Sequence, residues 1–516
     1  MKERMVIYDE DGTALLFRTP LGQVREHAEQ WFGHLLASGA DMIIYDCASP
    51  DIVYLKDCPH GELLGARFVR FEGHHGIWHA RTALMELIEQ GTDVLDVASR
   101  IAHDRGKLVL AEMRMSDAHH YHGGIGNPLY PQFVWDHPEL CIQKSDGTPD
   151  IVLDYSYPEV RDRRLAVLRD IAENYDVDGF DLNWMRWCRH FAKGRQHEKA
   201  HMLTEFLHDV RKMLDEVARE RGRPRFLLSH QVAAGVDECL DIGCDVRAWV
   251  HEGLADLLLP MDFIHADYGI RTEEFAEIVA GTDCGIYPTI QSSMIHLKSG
   301  SHTPTYTMSV AKYRAAISNL YAWGANGVSC FNFCCWGFDP RFADSMVQTF
   351  GLMRSPEKLS LGARHYHYVP IWRDHSGGVA PTGKHNAQIL QFRTDDMGRR
   401  LEYRFRMADG RDAQKLLGSL VVRIFGGTVY DTFELDVNGQ AISASDIVVE
   451  DRGIIQAHGF AAYPPGINLI VGLEDCPPFA GDNCLGIKWR SGTPELVGAP
   501  TMEVLEVMVQ APMGID

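Results

Sequence analysis

The chain has 516 residues, 45% hydrophobic and 23% charged, with a formal net charge of -21. That length exceeds one ordinary core, so two or three domains are expected. The acidic balance disfavours nucleic acid or an anionic membrane as a partner, because phosphate binding needs concentrated Lys and Arg.

No apolar run reaches the roughly 18 residues of a membrane span. The first residues, Met1 to Asp9, turn acidic before the apolar core of a secretion signal develops. The 12 cysteines are scattered, and Cys334 and Cys335 are adjacent, which suits neither a zinc site nor an ordinary disulfide framework. These features point to a cytoplasmic protein with reduced thiols; a homo-oligomer is compatible with them.

Short β-rich runs alternate with amphipathic helices as far as about residue 355. The first clear strand is Asp41–Asp46, followed by Lys107–Met113, Asp178–Trp184, Arg225–His230, Ala255–Asp262, Cys284–Ile290 and Gly327–Phe333. An eighth is expected in the irregular stretch Gly65–Trp78. Between strands, apolar residues recur at helical spacing: Met202, Leu203, Phe206, Leu207, Val210, Met213, Leu214 and Val217 make one stripe. Strand–helix alternation implies parallel strands, since parallel neighbours need crossover connections. A doubly wound sheet is the rival, but no glycine-rich phosphate loop follows the first strand. Polar residues at nearly every strand's C-terminal end favour a (β/α)8 TIM barrel over residues 1–360.

Beyond about residue 360 the helical pattern stops. Leu401–Met407 and Thr432–Val437 alternate in polarity, Leu420–Phe425 is more uniformly apolar, and Ile467–Val471 and Met502–Val509 follow. With the Asn438-Gly439 turn, this predicts an antiparallel β-sandwich over 361–516, packed against the barrel.

Alternation along the Asp178–Trp184 strand puts Asp181 and Asn183 on the inner face, with Phe180 and Leu182 toward the helices. Arg186 follows, and a carboxylate near a guanidinium stays ionised, so Asp181 is the candidate nucleophile or charge stabiliser. Asp262 and Glu112, each at a strand end, are the candidates for general acid/base, because glycoside cleavage generally needs two carboxyl groups. Glu72 and Asp46 are further contributors. His119, His120 and His230, with Arg186, Asn183, Gln291 and Asn332, are expected to orient hydroxyls. Trp336 is the preferred ring for stacking on a sugar, ahead of Trp184, Trp187 and Tyr268. His75 and His79 have ligand-like spacing, yet no H-E-x-x-H signature occurs, so no metal and no cofactor is expected.

The segment Asp176-Val177-Asp178-Gly179-Phe180-Asp181-Leu182-Asn183-Trp184-Met185-Arg186 resembles the glycosyl-hydrolase-like TIM barrels of bacteria. Their fourth strand reads roughly D-G-x-x-L-D-x-x-R, and many carry a β-sandwich after the barrel. Glu112-Met113-Arg114-Met115-Ser116-Asp117-Ala118-His119-His120 resembles the third-strand end of the same group. The resemblance covers roughly residues 40–340 and implies action on a glycosidic bond. One departure is Asn183, which stands where the family has a carboxylate, so carboxylate chemistry on this strand would fall to Asp181. The expected substrate is a small carbohydrate; the rival functions are a metal-dependent sugar isomerase, epimerase or lyase, and a non-catalytic carbohydrate-binding protein.

Overall fold

The structure is a computed structural model. It describes residues 3–511 apart from 67–74, 119–128, 263–265, 296–303, 334–348, 371–387, 411–415, 453–465 and 493–498.

The barrel strands are β1 (Val6–Glu10), β2 (Met42–Ser49), β3 (Leu108–Arg114), β4 (Gly179–Asn183), β5 (Leu227–Ala233) and β6 (Leu257–Met261). They are followed by β7, made of Gly285–Ile286 and Thr289–Gln291, and by β8 (Val328–Phe331). Neighbours are parallel and follow chain order, and β8 returns to β1 with Val328 opposite Val6. The break in β7 falls at Tyr287-Pro288, where the missing proline N–H interrupts the ladder. Its first half pairs with β6, and Tyr287 N donates to Leu258 O at 2.8 Å. Its second half pairs with β8, and Ser329 N donates to Pro288 O at 2.9 Å. The two open ends of the sheet are therefore one strand, and the barrel closes.

Seven strands lie where the sequence pattern puts them. The eighth is β1, not a strand in Gly65–Trp78: Gly65 and Ala66 form a turn, and helix His75–Glu89 runs through Trp78. Residues 67–74 of that stretch, with Glu72, lie outside the described residues. The terminal run Val6-Ile7-Tyr8-Asp9-Glu10 reads as half polar, yet all five residues are buried, because both faces of a barrel strand are covered. Tyr8 Oη and Trp31 Nε1 donate to the outward Glu10 at 2.6 and 2.9 Å.

The helices present the apolar stripes their spacing predicts. Gln196–Glu220 buries Leu203, Phe206, Leu207, Val210, Met213, Leu214 and Val217. Inside the barrel, Met5, Ile7, Met42, Ile44, Leu110, Leu257, Leu259 and Tyr287 form a separate apolar plug. On β1 to β5 the inward positions next along the strands are the polar Asp9, Asp46, Glu112, Asp181 and Gln231, and that change within one lumen defines the mouth.

The second unit is a β-sandwich of antiparallel sheets. Its strands include β9 (Arg364–Tyr368), β10 (Arg400–Met407), β11 (Gly418–Phe425), β12 (Thr432–Val437), β13 (Gly466–Gly472), β14 (Gly481–Ser491) and β15 (Thr501–Val509). One sheet runs β9-β15-β11-β13 with Val448–Asp451 at its edge; the other runs β10-β14-β12 with Gln440–Ala441. Asn438 and Gly439, at φ 54° and 80°, make the tight turn after β12, as the Asn-Gly pair predicts. Helix Val310–Ala322 joins the units: the buried Asn319 side chain donates to Tyr268 O and Arg406 O at 2.8 and 3.0 Å and accepts from Ala408 N at 2.7 Å.

Candidate active site

Asp9 on β1, Asp46 on β2, Glu112 and Arg114 on β3, Asp181 and Asn183 on β4 and Gln231 on β5 are all buried at the mouth end of the barrel. The register places Glu112 opposite both Asp46 and Asp181, and Asn183 opposite Gln231. The alternation expected for β4 holds, with Asp181 and Asn183 inside while Phe180 packs on Phe226 beneath the helices.

Gln231 organises the group. Its Nε2 lies 2.9 Å from Asp9 Oδ2, 2.9 Å from Asp181 Oδ2 and 3.4 Å from Glu112 Oε2. An amide nitrogen has two hydrogens, so three carboxyl groups around it cannot all be satisfied as anions. Burial, the charge of Glu112 and a hydrogen bond to it hold the Asp9 carboxyl well above the usual range. Asp181 is pushed up to about 8 by burial and by the Glu112 charge. Asp46, also buried, is raised despite Arg114 Nε at 2.9 Å.

Arg114 is the central cation, with Glu112, Asp11 and Asp117 each 3.4 Å away. Arg186 pairs with Asp117 at 3.6 Å. The expectation that a guanidinium keeps Asp181 ionised is thereby reversed: the interior around Asp181 favours its proton. Asn183 donates from Nδ2 to Glu112 Oε1 at 2.8 Å and Gln231 Oε1 at 2.9 Å, while its Oδ1 accepts from Met185 N and Arg186 N at 2.9 and 3.2 Å.

The other sequence candidates divide. Asp262 is buried one residue beyond β6, outside the hydrogen bonds centred on Gln231. Gln291 ends β7 with its Nε2 buried and no partner among the described residues. Asn332, at φ 50°, accepts from Asp11 N at 3.0 Å and so ties the end of β8 to the exit of β1. His230 does not face the mouth. It sits in the helix layer, with Nε2 3.0 Å from Leu254 O and its ring 5.0 Å from Trp249, and burial pushes it down to about 4. Trp184 packs in that same layer against Trp249, and Tyr268 packs at the sandwich against Tyr366 and Tyr368. Trp187 is buried at φ 60°, a strained conformation for so large a residue at the end of β4. His79 bonds Thr19 O at 2.7 Å. His119, His120 and Trp336 lie outside the described residues.

Sequence reasoning missed Asp9 as a site residue because it missed β1. A signal was present: Val6-Ile7-Tyr8-Asp9 nearly repeats Ile43-Ile44-Tyr45-Asp46. Among the described residues, His365, His367 and Glu506 have metal-sized spacing, but they lie in the sandwich. There Arg423 grips Glu506 Oε2 at 2.6 and 3.0 Å, and Lys312 adds positive charge, so an added cation would be repelled. No described helix is long and apolar enough to cross a membrane.

No protein-family model and no curated protein sequence matches the chain. Among solved structures it is similar to α-L-fucosidase isoenzyme 2 from Paenibacillus thiaminolyticus, at 11% identity and a TM-score of 0.42, over 71% of this chain and 51% of that one. It is also similar to the PgaB (BpsB) glycoside hydrolase domain from Bordetella bronchiseptica, at 12% identity and 0.39, over 67% and 99%. A maltogenic α-amylase from Thermotoga neapolitana shares 12% identity at 0.40, over 93% and 98%. The chain spans about half the length of the fucosidase. These neighbours are glycoside hydrolases; the fold itself rests on the strand order of this chain.

Proposed function

We propose that the barrel is a glycoside hydrolase, acting in the cytoplasm on a small oligosaccharide or glycoside without a cofactor. The observation that carries this reading is the convergence of Asp9, Glu112 and Asp181 on the Gln231 amide, with Asp181 pushed up to about 8. A carboxyl group still protonated at neutral pH is what protonation of a glycosidic oxygen requires, so Asp181 is assigned the general acid. Glu112, which receives Asn183 and Gln231 and lies beside Arg114, is assigned the nucleophile or base. Asp262 remains a candidate for a second acid/base group. Arg186, Gln291 and Asn332 supply donors and acceptors at the rim, with His119, His120 and Trp336 proposed to join them.

Asp181 and Glu112 lie no farther apart than two hydrogen bonds laid end to end through Gln231 Nε2. That fits the roughly 5–5.5 Å of a retaining pair and falls short of the roughly 6.5–9.5 Å of an inverting one. The test is a glycoside library read for released reducing sugar, with NMR of the first-formed anomer. Turnover with retention is expected, lost by about 100-fold or more in Asp181→Asn and Glu112→Gln. Full activity in Asp181→Asn would remove the assignment. Oligosaccharide binding without turnover would turn the reading to a binding protein, and stoichiometric bound metal to an isomerase, epimerase or lyase.

A further inference from the structure

A cavity of about 690 Å³ lies away from the carboxyl cluster, at the seam between barrel and sandwich. That size falls within the roughly 300–1,000 Å³ of small-molecule sites. Its barrel wall is formed by Gly269 and Arg271, and its sandwich wall is β10 with the start of β14. On β10 the odd residues Leu401, Tyr403, Phe405 and Met407 turn toward the core. The even ones, Arg400, Glu402, Arg404 and Arg406, form a ladder along the cavity. With Arg271 this brings four guanidinium groups to one cleft in a chain of net charge -21.

The four are not equally committed. Arg400 holds Asp436 through two contacts of 2.6 Å, and Arg406 holds Glu273 at 2.6 Å and Asp482 at 2.8 Å. Arg404 comes only within 4.0 Å of Glu402, with its side chain 79% exposed, and Arg271 only within 3.9 Å of Glu273. At those separations the N–H donors of Arg404 and Arg271 are not spent on acceptors among the described residues. Their scaffold is nonetheless fixed. Gln388 pairs with both backbone groups of Arg404, at 2.6 and 2.8 Å, and β10 is bonded to β14 along its length. A charged edge strand can serve merely to block strand-to-strand aggregation. That role needs no cavity and no second wall contributing its own arginine.

We infer that this cleft is a binding site for a uronic acid or a short uronate-bearing saccharide. Arg404 and Arg271 line one cleft, and the planar fork of a guanidinium matches a carboxylate. Glu402 and Asp482, which share the cleft, offer carboxylate acceptors for the hydroxyl groups of the same ligand. A neutral sugar would leave the guanidinium pair unmatched. An inorganic anion would leave the carboxylates facing like charge. The inference stands apart from the chemistry of the carboxyl cluster.

Calorimetric titration of the full chain with glucuronate, glucose and inorganic phosphate tests it. Glucuronate is expected to bind, with glucose and phosphate roughly tenfold weaker or more, and added salt is expected to weaken the complex. Arg404→Ala and Arg271→Ala should each reduce uronate affinity roughly tenfold with unchanged melting temperature, since both side chains reach solvent. Arg404→Lys should recover part of the loss, and Asp181→Asn should leave binding intact. Equal affinity for glucose, tighter binding of phosphate, or unaltered binding in the Arg404→Ala/Arg271→Ala double variant would each overturn the inference. So would loss of uronate binding in Asp181→Asn alone, which would place the ligand in the barrel mouth.

Discussion

At the scale of single residues, the mouth is an exercise in counting hydrogens. Asn183 looked like a lost carboxylate because an amide cannot attack or protonate. In place it uses both Nδ2 hydrogens on Glu112 and Gln231 and both lone pairs on the turn after β4. An aspartate there could donate nothing and would set its charge 2.8 Å from Glu112 Oε1. Asn183→Asp is therefore expected to destabilise the fold by about 2–4 kcal/mol rather than to restore a missing catalytic acid, as urea unfolding alongside activity would show. The inward placement of Glu112 and Asp181 was legible in the sequence because side chains alternate along their strands. His230 was misleading for the converse reason. It is one residue out of phase with Gln231, and parity sends it under the helices.

At the scale of elements, strands that alternate with long helices were visible from their apolar runs and glycine stops. Short or interrupted strands were not all visible: β1 has five residues and its polar outward positions find partners inside the helix layer. The glycine of the Asp178-Gly179 pair has a reason that the pattern alone does not supply. A Cβ at Gly179 would stand 2.3 Å from Leu227 O on β5. Gly179→Ala must therefore push β4 and β5 apart just below Asp181, and a loss of about 1–3 kcal/mol is expected in denaturant unfolding. Unaltered stability would show that the two strands have slack. The sandwich strands were the easier half, because one face is covered and the other wet, and the alternation on β10 is seen directly in burial.

At the scale of the whole molecule, buried acids and buried histidines set opposing pH dependences. Asp181 and Glu10 are raised by burial to about 8 and about 7, so the folded chain holds protons the unfolded chain has released. Their contribution to stability is present at low pH and is lost as pH rises through those values. His190 and His230 are pushed down by burial to about 3 and about 4, so their contribution is present above the unfolded value near 6.5 and is lost as pH falls below it. Between roughly pH 6.5 and 7.5 the acids dominate, with Lys312, pushed down to about 8 by burial, opposing them only above that, and melting temperature is expected to decline across that window. Asp181→Asn should flatten the decline; an equal slope in the variant would show that Asp181 ionises freely in the fold.

The amide of Asn319 has a consequence for how the chain comes together in time. Two of its partners, Arg406 O and Ala408 N, lie some 90 positions later in the chain. While a ribosome is still translating the intervening stretch, a finished barrel would carry this amide with two of its three bonds unmade. Closure of the seam is thus a late event of synthesis, and a nascent chain released at residue 360 should be captured by chaperones that ignore the full-length product.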